Sequence, residues 1–218
     1  MTKILFERKT GDDLLIEEAR QALEAGGIVV IPTDTIPGIG CRVNDLKAVK
    51  RLFELKERPD NLPIPVILGE TREIGRYCEN PPPLFAPLAE RYWPGQLTII
   101  VRSNGRIPKR IGGGLDTIGF RVPESEMVRG IVKAIRCPLA LTSANPHLET
   151  PSALHPKLLA WWNHKVELLI LGRSTVPRPP SAVVDISRDP PAILREGIID
   201  TEELRRILAR EVPSPNHV

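Results

Sequence analysis

Two hydroxyls and a carboxylate stand close together in the segment 32–40 (PTDTIPGIG), which directly follows a short apolar stretch. The side chains of Thr33, Asp34 and Thr35 suit a small polar ligand, and the glycines of the segment let the backbone approach it closely. The same side chains also suit a capped turn, in which they bond only to the local backbone. No Gly-Lys-Ser/Thr closes the segment, so it is not a Walker-type phosphate loop.

A lysine and an arginine stand two residues apart at the end of a predicted helix. Lys56 and Arg58 precede Pro59, which cannot continue the helix. A point charge and a planar fork held this close together suit one polyphosphate. Cations are also favoured at a helix C-terminus by the helix dipole alone, which is the alternative explanation of the pair.

Neutral hydrogen-bonding side chains follow a predicted strand over 138–142 (PLALT). Ser143 and Asn145 stand at its exit, where open α/β sheets bind their ligands. A plain turn explains the same residues. The pair is therefore a candidate only in combination with other sites.

Arginines on two further predicted strands complete the set of candidates. Arg121 alternates with apolar neighbours in 119–123 (GFRVP), so it either reaches outward to solvent or is fixed in a cleft to bind a carboxylate. Ser181 precedes the next strand, and Arg195 ends the last one.

These candidates are positioned by segments of alternating helix and strand periodicity. A second helix is capped by Asn44 or Asp45 and ended by Pro59. The other predicted helices are 12–25, 84–92, 125–136, 154–163 and 201–210, and the predicted strands are 28–31, 64–68, 97–102, 117–122, 138–142, 166–171, 182–186 and 192–195. This order predicts an α/β fold with a mixed sheet, because helical connections favour parallel pairing while the closely spaced C-terminal strands favour a hairpin.

The composition indicates an ordinary globular protein of 218 residues with a formal net charge of +3. We predict one domain over 1–212 and a loose tail over 213–218. No run reaches the ~18 apolar residues of a membrane helix, and no secretory signal opens the chain, so we expect no membrane partner and a cytoplasmic location. The small net charge excludes a tail-driven nucleic-acid binder, although 101–136 carries eight Lys and Arg against three acids.

Cysteine and histidine spacing predicts no metal site. Three widely separated cysteines offer neither a disulfide framework nor a Cys-x-x-Cys pair, and the four histidines share no ligand spacing. We expect the cysteines to be buried thiols.

Seven short motifs occur in an order that resembles the YrdC-like family, the threonylcarbamoyl-AMP synthases. They are PTDT…GxG (32–40), LKxRP (55–59), WPGxLT (93–98), GxRxP (119–123), TSAN (142–145), SAVVD (181–185) and LRxG (194–197). The resemblance covers about 12–200 and implies a twisted mixed parallel and antiparallel sheet, with flanking helices and a concave, positively charged cleft. The length resembles that of the single-domain members.

The resemblance implies the joining of L-threonine, bicarbonate and ATP, with Mg²⁺, into threonylcarbamoyl-adenylate and pyrophosphate. It assigns the phosphate and catalytic role to Lys56 and Arg58. The implied ATP-binding residues are Lys56, Arg58, Thr117, Ser143, Asn145, Ser152 and Arg195, and the implied L-threonine-binding residues are Thr33, Thr35, Arg121 and Ser181. Proteins that transfer the threonylcarbamoyl group to tRNA are the implied downstream partners.

The chain departs from the family pattern at three places. Pro37 replaces a common Tyr, the loop 146–152 is one residue longer and lacks a Ser-Gly, and Ile67 stands where many synthases have His. Two alternatives stay open on the sequence. One is binding of tRNA, double-stranded RNA or the ribosome through the basic segment 101–136. The other is a diverged paralogue that acts on another substrate.

Overall fold

The computed structural model describes residues 1–7, 12–176 and 178–209. The helices are α1 Asp13–Glu24, α2 Leu46–Leu55, α3 Phe85–Tyr92, α4 Glu126–Ile135, α5 His155–Trp162 and α6 Thr201–Leu208. The strands are β1 Lys3–Phe6, β2 Val29–Ile31, β3 Gly38–Arg42, β4 Val66–Ile67, β5 Leu97–Arg102, β6 Thr117–Arg121, β7 Leu139–Ser143, β8 Leu168–Leu171, β9 Ala182–Asp185 and β10 Ala192–Arg195. Two 3₁₀ helices span Thr71–Arg76 and Lys109–Gly112.

The ten described strands form one sheet in the order β1-β8-β2-β3-β7-β4-β6-β5-β9-β10. The β1/β8, β2/β8, β4/β6 and β5/β9 pairs are parallel, and the other neighbours are antiparallel. The predicted mixed sheet and the predicted C-terminal hairpin, β9/β10, are both confirmed. The predicted tail over 213–218 lies outside the described residues.

The helices cover the sheet with the faces that their periodicity predicts. In α1, Leu15, Ala19 and Leu23 are buried, at the i, i+4, i+8 spacing of one helical face. Of the two predicted caps of α2, the structure uses Asp45, whose carboxylate accepts from the Ala48 amide at 2.9 Å. Trp162 of α5 is fully buried.

Two strands were not predicted from the sequence. The sequence places 38–40 in a glycine-bearing turn, but these residues open β3. The glycines are required by a close approach: a Cβ at Gly40 would lie 2.3 Å from the Ala140 carbonyl oxygen. The other missed strand is β1, four half-exposed residues too short to show a period.

The three cysteines have the burial that the sequence predicts. Cys41, Cys78 and Cys137 are all free and buried. In the described ranges no helix is both long and apolar enough to cross a membrane.

Candidate active site

Three neighbouring strands present alternate residues to the floor of one cleft of about 440 Å³. Ile100 of β5 pairs with Gly119 of β6 on one side and with Asp185 of β9 on the other. Because side chains alternate between the two faces of a sheet, every second residue of each strand points to the cleft. The floor residues are Thr117, Gly119 and Arg121 of β6, Thr98 and Ile100 of β5, and Val183 and Asp185 of β9, with Ser181 just before β9.

The walls of the cleft come from segments that are distant in sequence. Of the predicted site residues, the lining includes Thr33, Thr35, Arg58, Thr117, Arg121, Ser143, Ser181 and Arg195. Lys56, Asn145 and Ser152 do not line it. The structure thus places candidate residues from six motifs around one cleft.

The end of α2 turns Lys56 and Arg58 in different directions. Glu57 has a left-handed backbone (φ 51°), and the Arg58 amide donates to the Phe53 carbonyl at 2.9 Å. This is a Schellman ending, in which the chain reverses after the last turn. Arg58 then bonds to the Pro63 carbonyl at 2.7 Å and lines the cleft, and burial lowers the pKa of its guanidinium.

Lys56 instead lies beneath the loop that follows β7. Its side chain is buried, and its Nζ donates to the carbonyl oxygens of Ser143 and of Asn145, the latter at 2.6 Å. Burial, with a smaller contribution from the charge of Arg58, lowers the pKa of Lys56 to about 7. The expectation that Lys56 stands beside Arg58 in the cleft is therefore wrong for this arrangement of the side chain, and its phosphate role stays a prediction.

The lowered pKa of Lys56 predicts a pH-dependent stability. Between pH 7 and the ordinary value of 10.5 the unfolded chain holds this proton and the folded chain does not. The free energy of unfolding therefore gains a contribution that rises with pH through this window and is absent below it. We expect the difference in urea-unfolding free energy between the wild type and Lys56→Met to grow in favour of the wild type from pH 7 upward. A constant difference would contradict this, and Lys47→Met, on the exposed side of α2, is the matched control.

Asn145 and Ser152 brace the loop between them. The Asn145 amide donates to the carbonyls of Pro146 at 3.0 Å and of Glu149 at 2.6 Å. The Ser152 hydroxyl accepts from the Leu154 amide at 3.2 Å, directly before α5. These contacts correspond to the turn alternative for 143–145, and the predicted ATP contacts of both side chains stay predictions.

Arg121 is fixed inside the cleft by an unpredicted partner. Its guanidinium donates to the Asp34 carboxylate at 2.7 Å, to the Gly95 carbonyl at 2.8 Å and to the Thr35 hydroxyl at 3.3 Å. Both members of the ion pair are less than a tenth exposed. Burial lowers the pKa of Arg121, while Asp34 counteracts that shift. Of the two orientations that the sequence allowed, the structure shows the inward one.

The segment 33–36 proves to be both a turn and a wall of the cleft. The Thr33 hydroxyl donates to the Ile36 carbonyl at 2.8 Å and accepts from the Thr35 amide at 3.1 Å. The Thr33 and Thr35 hydroxyls also line the cleft. The two alternatives drawn from this motif are therefore compatible.

Arg195 and Ser181 meet at the same end of the cleft as Arg121. The guanidinium of Arg195 donates to the Ser181 carbonyl at 3.0 Å and to its hydroxyl at 3.2 Å, and that hydroxyl lies 3.1 Å from the Thr98 hydroxyl. Burial of the guanidinium, and then the positive charge of Arg121, lower the pKa of Arg195. Two guanidiniums that repel each other in this way favour an anion between them.

Asp34 and Asp185 have positions that their local sequence does not indicate. Asp34 was a ligand candidate only together with Thr33 and Thr35, and its partnership with Arg121 spans 87 residues, beyond any local pattern. Asp185 ends the SAVVD motif and lines the cleft, but nothing in its spacing gave it a role. Ile67, the departure from the family pattern, also lines the cleft.

The chain resembles known proteins both in its sequence and in its fold. The Sua5/YciO/YrdC family model, described as "Telomere recombination", matches residues 21–197. The threonylcarbamoyl-AMP synthase of Pyrococcus abyssi is 31% identical over 209 residues, which are 95% of this chain and 61% of that protein. The structure of P. abyssi Sua5 complexed with L-threonine superposes with a TM-score of 0.87 at 29% identity, over 96% of this chain and 61% of that one. Escherichia coli YciO superposes with a TM-score of 0.83 at 25% identity, over 93% and 98% of the two chains.

Proposed function

Because this chain belongs to the Sua5/YciO/YrdC family, we propose that it is a threonylcarbamoyl-AMP synthase. The reaction joins L-threonine, bicarbonate and ATP into threonylcarbamoyl-adenylate, pyrophosphate and water. The chain spans about 61% of the length of the P. abyssi relative, so the activity of that whole protein is carried over as a proposal.

The observation that carries the proposal is the lining of the cleft by three guanidiniums from separate elements. Arg58, Arg121 and Arg195 all line it, and Asp185 is the one carboxylate among its lining residues. Such a site suits a reaction whose partners are a carboxylate, a carbamate and a triphosphate. The likeness to a Sua5 structure that holds L-threonine supports the amino acid as one of them.

The threonine end of the cleft is proposed at Arg121. Its guanidinium has five N–H groups, and the described contacts use one each for Asp34, Gly95 and Thr35. The two that remain match the two oxygens of an amino-acid carboxylate. The hydroxyls of Thr35 and Ser181 stand beside it to bond the rest of threonine, and Thr33 holds the turn.

The phosphate end is proposed at Arg58 and Ser143, which both line the cleft. There the carbamate oxygen attacks the α-phosphorus of ATP, and the bond to pyrophosphate breaks as the new P–O bond forms. No protein side chain forms a covalent intermediate in this scheme. Catalysis comes from holding the two anions in line and from stabilising the charge on the departing pyrophosphate.

Mg²⁺ is proposed to enter with ATP. Within the described part of the chain no three His, Cys, Asp or Glu side chains converge on one point, so the phosphate oxygens would be the main ligands of the ion. The ion supplies charge neutralisation on the phosphates. The residues of this chain then need only orient the nucleotide.

The products provide the direct test. We expect the purified protein with ATP, Mg²⁺, bicarbonate and L-threonine to release pyrophosphate and form an AMP ester, because the chain has no Walker-type phosphate loop to hold the γ-phosphate for hydrolysis. Omission of threonine or of bicarbonate is the control and should abolish pyrophosphate release. ADP as the main product, or release that does not depend on threonine, would contradict the proposal.

The wider partners and the cellular location are part of the same proposal. A mixed anhydride such as threonylcarbamoyl-adenylate hydrolyses readily, so a transferase that passes the group to tRNA is the expected consumer, in the cytoplasm. Direct binding of tRNA or double-stranded RNA is the alternative partner interaction. It predicts salt-sensitive affinity for RNA in the absence of ATP and threonine.

A further inference from the structure

Asp185 is the one carboxylate among the lining residues of the cleft, and its position is well defined. Its Oδ1 accepts from the Ser187 amide at 3.0 Å and from the Ser187 hydroxyl at 2.6 Å. The hydrogen bonds of the described residues leave Oδ2 without a partner in the protein. A negative charge repels phosphate and carboxylate groups, so the part of a ligand at this point must be neutral or cationic and must donate hydrogen bonds.

The register of the sheet separates Asp185 from the threonine end. It lies in the row of Ile100 and Gly119, whereas Arg121 is two residues further along β6 and two strands away. Strand spacing and rise make this about 12 Å between Cα atoms. The Arg121 guanidinium also points away from Asp185, since it donates to the carbonyl of Gly95, five residues before the Ile100 that pairs with Asp185. We therefore expect an amino acid with its carboxylate on Arg121 to keep its ammonium group away from Asp185. The donors at Asp185 must then belong to the other substrate.

Two exposed leucines also line the cleft. Leu115, two residues before Thr117, and Leu194 of β10 both line the cleft and are 60% and 54% exposed. Leu194 and Arg195 both line it although adjacent strand residues normally point to opposite faces. The irregular register between Ile193 and Arg195 explains this, because a bulge re-aims the side chains. Apolar side chains at the mouth of a polar cleft suit the faces of a planar base.

From this arrangement we propose that Asp185 binds the ribose hydroxyls of the nucleotide, with Leu115 and Leu194 packed against its base. The inference rests on the proposed function, which makes that nucleotide ATP. A ribose diol supplies two neutral donors, and carboxylates bind ribose hydroxyls in other nucleotide folds. Mg²⁺ shared with the ATP phosphates is the alternative ligand of Asp185, and it predicts that Asp185→Asn leaves the preference for ribose unchanged. The cleft is thus a selector for ribonucleotides over deoxyribonucleotides.

The test is calorimetric titration with ATP, 2′-deoxy-ATP and 3′-deoxy-ATP, without threonine or bicarbonate. A hydrogen bond to a charged group typically corresponds to about a tenfold change in affinity or more. We expect the wild type to bind ATP about tenfold more tightly than at least one deoxy form. Asp185→Asn should bind ATP about tenfold more weakly and should no longer distinguish the three. Asp189→Asn, an exposed acid four residues further on, is the matched control and should behave as the wild type.

Two outcomes overturn the ribose role. One is equal affinity of the wild type for all three nucleotides, and the other is unchanged discrimination in Asp185→Asn. Either result alongside threonine-dependent pyrophosphate release leaves the synthase intact and removes only this inference. If the wild type binds no ATP, both the ribose role of Asp185 and the proposed synthase function are wrong. If Asp185→Asn fails to fold, the affinities of the wild type for ATP and the two deoxy forms decide whether the ribose hydroxyls are bound. Leu194→Ala should weaken ATP binding while it leaves the preference for ribose unchanged.

Discussion

Arg58→Ala is expected to lower the turnover number for pyrophosphate release by about 100-fold to 1000-fold. The guanidinium lines the cleft and lacks a carboxylate partner among the described residues, so its charge is available to the leaving pyrophosphate. Loss of one such preorganised donor typically costs about 3 kcal/mol of transition-state stabilisation. Steady-state kinetics with saturating threonine and ATP measure the effect.

The control for Arg58→Ala is an arginine of similar exposure outside the cleft. Arg51→Ala removes a guanidinium that pairs with Glu167 at 2.8 Å on the far side of α2, and its turnover should stay within a few-fold of the wild type. Near-normal turnover in Arg58→Ala would mean that Arg58 is only a structural cation at the end of a helix, which bonds to the carbonyls of Leu62 and Pro63.

Arg121→Met is expected to destabilise the fold by about 3–5 kcal/mol. The substitution leaves the Asp34 carboxylate buried without its 2.7 Å partner, and removal of one member of a buried pair has an effect of this size. Urea unfolding of the wild type and the variant measures it. The charge of the orphaned carboxylate causes the loss, so the double variant Asp34→Asn/Arg121→Met should recover most of the stability.

A second variant separates the binding role of Arg121 from its structural one. Arg121→Lys keeps the positive charge near Asp34 but lacks the planar fork, so threonine affinity should fall while ATP affinity changes little. Titration with each ligand distinguishes the two. Equal losses of affinity for both ligands would mean that Arg121 supports the cleft and does not bind the amino acid. If the double variant does not recover stability, loss of the ion pair with Asp34 is not the cause of the destabilisation.

The periodicity of the chain predicted the strands of the cleft floor, since alternation places Thr117 and Arg121 on one face by geometry alone. It did not predict how the chain turns after Lys56, because that turn depends on Glu57 adopting a left-handed backbone, a conformation with no strong signal in a residue other than glycine. The Asp34–Arg121 pair was invisible for a different reason. Its members are brought together by the sheet and not by any local spacing.

The glycines of β3 show how one residue type supports opposite readings. In isolation Gly38 and Gly40 weaken a strand, which favours a turn in this segment. In the sheet they allow β7 to approach, since a Cβ on Gly38 would lie 2.8 Å from the Leu141 side chain. Only the identity of the neighbouring strand decides between the two readings, and that identity is tertiary information.

The long separations within the threonine end have a consequence for how the protein is made. The contacts of Arg121 with Asp34 and of Ser181 with Thr98 join residues 87 and 83 positions apart, and Arg195 closes the set from the last strand. Contacts of such span are formed late in folding, since the intervening loops must close first. During synthesis the amino-acid end of the cleft cannot exist until nearly the whole described chain has left the ribosome. If the cleft binds threonine as proposed, that binding requires the described part of the chain to be folded, so partly made or partly folded chains should not compete for the amino acid.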